Sequence, residues 1–313
     1  MLTIIDADSW VPQQYIERVE QHLSANYAKR NEFIYQPCQM FTRNHMEVPN
    51  FTRTYDSSHG LVHFSNLHSL FATSFPLSNY SLPDALAAKI GFWDTHPDAI
   101  GEDFHTTIKA FWKTHGQVST VSVFTPFNQL NIQSGQGYWS DVGKRFWQAE
   151  RHGRGCADAA YCLKKVKEVG LCWRTFLIVY QVLEITTLPA VVPWCMISST
   201  LANLYRSLGG TGLPPPPLDF SWLYQICTLS FVLSYFCYSY VSNWASQLYY
   251  GIDTGNWLHK VVRAVEYIAF FPVNLFAITI PSATIAAFRV TFGNNVYNTA
   301  EKHITPLKKT RGE

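Results

Sequence analysis

A mixed α/β domain followed by an α-helical membrane region is the fold class this sequence predicts, and two observations carry it. Through about residue 170, helical and strand periodicities alternate at the rhythm of an α/β sheet domain. Beyond Arg174 charge nearly vanishes, with no charged residue between Glu184 and Arg206, between Asp219 and Asp253, or between Glu266 and Arg289. A crossing takes roughly 20 apolar residues for about 30 Å of hydrocarbon, so each gap is long enough to supply a span. The whole chain is 47% hydrophobic, 15% aromatic and 15% charged, with formal net charge +2, which excludes disorder and a basic protein that coats nucleic acid.

Taken in order, Leu2 to Ile5 reads as a short strand ending in the acidic turn Asp6-Ala7-Asp8. Pro12 to Lys29 carries Tyr15, Ile16, Val19 and Leu23 at helical intervals, with proline in the first turn. Residues 36–60 are polar and bear Gly, Pro and Asn, the composition of a loop. Thr106 to Trp112 has helical spacing, Val118 to Phe124 alternates like a strand, and Asp141 to Arg151 is helical again. The domains expected are a globular unit over 1–170, a membrane region of about three spans over 171–292, and a basic tail over 293–313. Pro214 to Pro217 reads as a stiff loop between spans.

Lys164, Lys165, Lys167 and Arg174 stand just before the first span. Basic residues beside a span mark the cytoplasmic side, so the globular unit is expected in the cytosol. The tail, with Lys302, Lys308, Lys309 and Arg311, falls outside after three crossings, which breaks the same rule. An interfacial or re-entrant segment at Pro272 and Pro281 is one resolution; a stretch that does not cross is the other. Glu184 is expected to face protein or the interface, because a carboxylate facing lipid is costly. Seven cysteines without a C-x-x-C pair indicate reduced thiols. The five residues before Asp6 are too short for a signal peptide.

Three acidic or polar constellations carry the chemistry. Asp6 and Asp8 end an apolar strand, where α/β sheets place ligand-binding groups. If extended, the two carboxylates share one side and address one divalent cation. Glu102 and Asp103 begin a helix, and Gln148, Arg151 and His152 end another. Each alone is ordinary turn, cap or helix-end chemistry; the three in this order before membrane helices are not. His59, His63 and His68 lack acidic companions and read as structural rather than as a metal site. The sequons at Asn50 and Asn79 matter only for a lumenal domain.

The order D-x-D, then an E-D pair, then Q-x-x-R, then membrane helices resembles the membrane-integrated family 2 glycosyltransferases, the group that includes cellulose, chitin and hyaluronan synthases. Asp8 to Asp103 is 95 positions and Asp103 to Gln148 is 45, intervals in keeping with that group. Ser78 to Leu82, Gly91 to Asp94 and Ala99 to Asp103 look like the "glycosyl transferase family group 2" proteins of fungi and other microbes.

The resemblance implies an inverting transferase of hexosyltransferase type. Its partners are a nucleotide-sugar donor of UDP type, a glycan or lipid-linked acceptor, membrane lipids and a partner subunit, with no nucleic acid. It implies Mg2+ or Mn2+ on Asp8, with Asp6 supporting the metal or the ribose. Asp103 is implied as general base, with Glu102 shaping its environment. Gln148 and Arg151 would border the diphosphate and the acceptor end, and Trp147 and His152 would stack on the acceptor. His152 stands where the group carries Trp, which bears on polymer synthesis more than on transfer.

The resemblance also implies multi-pass integration in the plasma membrane or Golgi. It further implies an incomplete A-type glycosyltransferase domain, because the nucleotide-binding half ordinarily precedes the D-x-D; an inactive fragment acting as a membrane partner protein is the alternative this leaves. A transporter or channel is disfavoured by the lack of paired intramembrane charge.

Overall fold

The computed structural model describes residues 1–67, 75–76, 78–93, 101–211, 221–253 and 255–293. His68, Asp94, the Pro214–Pro217 run and the basic tail lie outside them. Four strands, β1 (Leu2–Ile4), β2 (Phe33–Met40), β3 (Tyr80–Leu82) and β4 (Ser119–Asn128), form one sheet in the order β1-β3-β2-β4. β2 and β4 run parallel, and β3 is antiparallel to both β1 and β2. Pro37 cannot donate to a ladder, and the β2–β4 register shifts between Pro37 and Gln39.

Ile34 and Tyr35 are neighbours in β2, so their side chains enter opposite faces of the sheet. Tyr35 packs with Val123, Phe127 and, from α1 (Gln13–Ala25), Tyr15 and Val19. Ile34 packs with Tyr80, Leu82 and residues of α3 (Asp84–Ile90) and α4 (Glu102–Lys113). The other face of α4 presents Phe104, Ile108 and Trp112 at i, i+4, i+8 to Cys162 of α6 (Ala157–Val169) and to Ile178 and Val182 of α7 (Trp173–Thr186). α4 is thus gripped between the sheet and the helices that lead to the apolar region, which fixes the position of its acidic first turn.

The loop expected over residues 36–60 is corrected: β2 runs to Met40 and α2 spans Asn50–Leu67. Composition misled because these elements bury polar side chains. Gln36, Gln39, Thr52, Thr54, Asp56, Ser57 and His63 are all interior, where polar groups persist only with partners. The Asn79 sequon is closed in the fold, whereas Asn50 is half-buried. Asn79 and Ser81 have no exposed surface, and Thr52 is likewise buried.

The first expected span is two helices, α7 and α8 (Leu188–Ser207), broken at Thr187 ahead of Pro189. Glu184 lies exposed just before the break. The second is α9 (Ser221–Tyr250), in which Ser, Tyr, Asn and Gln dilute the apolar residues. The third is continuous, α10 (Trp257–Asn274) and α11 (Ile280–Thr291) joined by a π turn at Leu275–Thr279. The widened turn lies just ahead of Pro281, whose ring would otherwise meet the carbonyl four residues back. Among the described residues this 35-residue helix, Trp257–Thr291, is the one long and apolar enough to cross a membrane, and only 28% of its most apolar window is buried.

That helix also lies along the globular unit. Glu266 receives both Arg53 Nη2 at 2.5 Å and Nε at 3.1 Å, and Asn274 Nδ2 donates to Thr54 Oγ1 at 2.7 Å. Ile278 packs with Tyr55 and Ala149. Arg289 reaches Glu150 at 3.3 Å. At Gly153 an added Cβ would stand 2.9 Å from Ala286 Cβ and 3.4 Å from Ala283 Cα. Gly153→Ala is therefore expected to cost about 1–3 kcal/mol by overpacking, read as a lower unfolding temperature in detergent; an unchanged midpoint would show that this helix contact is loose.

Candidate functional site

β1 ends at a turn, not in an extended continuation. Ser9 N–H donates to Asp6 O at 2.9 Å and Asp6 N–H donates to Asn79 Oδ1 at 2.9 Å. The turn separates the two carboxylates expected to share one side: Asp6 is exposed, whereas Asp8 is buried. The charge of Asp6 acts on Asp103, and that of Asp8 acts on Arg43.

Asp103 is in the first turn of α4 after Gly101, whose φ of +77° is the left-handed conformation glycine tolerates. Its Oδ1 accepts Phe104 N–H at 2.8 Å and its Oδ2 accepts Ser78 N–H. Ser78 itself holds φ at +70°, an uncommon conformation for a residue with a side chain and one that accompanies this contact. Burial and then the neighbouring Glu102 carboxylate raise the Asp103 pKa to about 6, against the two backbone donors, with Asp6 adding to the rise. Asp6, Glu102 and Asp103 thus form one acidic group, with Asp103 titrating near neutrality.

Arg43 follows β2 and faces the D-x-D turn. Its guanidinium lies over the Trp10 ring, 3.9 Å from the centroid, and Nη1 donates to the Asp8 carbonyl at 3.1 Å. Trp10 is held in turn: its N–H and C=O pair with Asn128 at 2.9 and 3.1 Å, and its carbonyl also accepts Tyr250 O–H at 2.8 Å.

The second group is on α5 (Tyr138–Gly153) and α2. Gln148 Oε1 accepts from Arg145 Nη1 at 2.6 Å, Arg145 Nη2 pairs with Asp56 at 2.8 Å, and the guanidinium lies over Tyr55, 4.3 Å from the centroid. Both members of the pair are buried. The Nε atom of Arg151 is buried with no hydrogen-bond partner among the described residues. His152 is exposed, 6.3 Å between ring centroids from His59. Trp147 meets the Arg289 guanidinium at 5.3 Å, and Glu150 ties Arg154 at 2.9 Å and Arg289 together. One face of α5 therefore serves the polar interior while another holds the long apolar helix.

Burial holds His59 and His63 neutral, at about 3 and about 4. Among the described residues no group of three His, Cys, Asp or Glu side chains forms a metal cage. Asp6 and Asp8 still offer carboxylate oxygen, the donor type that suits Mg2+ and Mn2+. A Mg2+ ion typically takes one or two carboxylates and completes its shell with water and substrate phosphates. With Asp6 and Asp8 turned apart, it is the exposed Asp6 carboxylate beside Asp103 that fits a metal of that kind, as one of its one or two protein ligands.

Arg43, Asp56 and Arg145 were not singled out in the sequence, and Ser78 and Asn79 stood out only within a family-like segment and a sequon. The one local signal was Arg145, three residues before Gln148 and so on the same helical face; the others meet the site only through the fold. The chain matches none of the curated proteins and none of the solved structures compared with it. The family model described as glycosyl transferase family group 2 matches residues 1–250. With four-fifths of the chain covered and the acidic group at the sheet end in place, the protein belongs to the glycosyl transferase family group 2.

Proposed function

We propose that the protein is a membrane-bound inverting glycosyltransferase that moves a sugar from a nucleotide-sugar donor, of UDP type, to a glycan or lipid-linked acceptor. Residues 1–170 form the transfer unit and 171–292 the membrane region. The observation that carries this reading is Asp103, held by Ser78 and Phe104 N–H groups beside Asp6 and raised to about 6. A base whose pKa lies near the working pH is ionised when needed yet basic enough to take a proton. Asp103 removes the proton of the acceptor hydroxyl as that oxygen attacks the anomeric carbon from the face opposite the diphosphate.

The exposed carboxylate of Asp6, beside Asp103, would hold a divalent metal together with the diphosphate, while Asp8 stands apart toward Arg43; when bound, the metal would supply Lewis-acid stabilisation of the departing diphosphate. Glu102 keeps Asp103 basic. Gln148, oriented by Arg145, presents its amide to the acceptor, and Arg151 supplies a guanidinium suited to phosphate. His152 and Trp147 border the acceptor. Outward apolar residues of the long helix, Val262, Val265, Phe276 and Phe288 among them, support membrane attachment.

Carbonate-washed membranes are expected to retain the protein and, with Mn2+ and a panel of nucleotide sugars, to release nucleoside diphosphate together with a glycoside of inverted configuration. EDTA should abolish release. Because Asp103 must be ionised, kcat/KM should fall about tenfold per pH unit below about pH 6. A retained configuration, or transfer undiminished at pH 4.5, overturns the base assignment; recovery of the protein in the wash overturns membrane attachment.

A further inference from the structure

The charges that raise Asp103 are those of Glu102 and Asp6, both negative. A departing nucleoside diphosphate adds more negative charge at the same sheet end, so donor binding there calls for a cation held ready. We infer that Arg43 binds the diphosphate of the nucleotide-sugar donor, as a guanidinium clamped between the Trp10 ring and the Asp8 carbonyl. This rests on the glycosyl-transfer reading and adds to it a residue that neither the motifs nor the family match single out.

Three features support the assignment. Arg43 lies three residues past Met40, beyond the carboxyl end of the parallel pair β2 and β4, where open α/β sheets receive ligands. Among the described residues its one hydrogen bond runs from Nη1 to a backbone carbonyl of the D-x-D turn. The remaining N–H groups of the fork are free to match phosphate oxygens in pairs. The Trp10 backbone is fixed by Asn128 and Tyr250, and its ring meets the Tyr250 ring at 5.9 Å between centroids, so the platform under the guanidinium is held before the anion arrives.

The test is calorimetric titration of the purified full chain with UDP in Mn2+, with uridine binding followed by saturation-transfer NMR as the nucleoside control. Arg43→Gln can still donate to the Asp8 carbonyl but has no charge; it is expected to weaken UDP binding at least tenfold and to leave the uridine signal unchanged. Arg43→Lys, a point charge without the fork, should fall between Arg43→Gln and the native protein. UDP affinity within twofold of native in Arg43→Gln, or equal loss of UDP and uridine in both variants, overturns the inference in favour of a structural arginine. If the native protein binds neither UDP nor GDP with Mn2+, the glycosyl-donor reading itself fails, and the inference with it.

Discussion

Asp103→Asn is expected to lower turnover by a factor on the order of 10² to 10⁴ while leaving UDP–Mn2+ binding in place. The substitution keeps size and one acceptor but removes the atom that takes the proton. It also has a stability signature with a definite sign. A carboxyl raised from 3.8 in the unfolded chain to about 6 in the fold contributes stability that is complete below about pH 4 and is lost as pH rises through 6. Asparagine has no such dependence. The stability of the variant relative to the native protein should therefore improve by about 1–2 kcal/mol between pH 4 and pH 7, the full shift being discounted for partial exposure. Thermal unfolding at the two pH values reads the difference, and a flat difference would show that Asp103 titrates normally.

The second large effect lies in the buried pair Asp56–Arg145. Asp56→Ala leaves a guanidinium with 3% side-chain exposure without its countercharge and is expected to cost about 3–5 kcal/mol. Replacing both, as Asp56→Leu with Arg145→Met, removes the charge along with its partner and should recover most of that loss. Activity should not recover with it, because Gln148 loses the 2.6 Å donor that fixes its amide. Unfolding midpoints and transfer rates measured on the single and double variants separate the two roles. A double variant as active as the native protein would show that Gln148 needs no anchor.

Much of the scaffold was legible in the sequence. Tyr15 and Val19 marked the buried face of α1 and Thr106 to Trp112 the helix that carries Asp103, through apolar residues at helical spacing, and the short apolar run Leu2 to Ile5 marked β1. α2 was not legible. Its inward positions are Thr52, Asp56 and His63, and periodicity of hydrophobic residues is silent where polar groups are buried in pairs. The same blindness hid Arg145 and Asp56, whose partnership spans two helices. The acidic motifs were found by their order along the chain, but order could not show that a turn at Ala7 sends Asp6 toward Asp103 and Asp8 toward Arg43.

The apolar stretch from Tyr267 to Phe288 is tied to the globular unit at both ends, by Glu266 to Arg53 and by Arg289 to Glu150. The two anchors are 23 positions apart, about 34 Å of helix, close to the thickness of hydrocarbon. Arg53 and Glu150 belong to one folded body, which cannot stand on both sides of a bilayer. The consequence is a constraint on any bilayer that meets this region: a helix pinned at both ends to one body does not cross between its two anchors while both ion pairs hold.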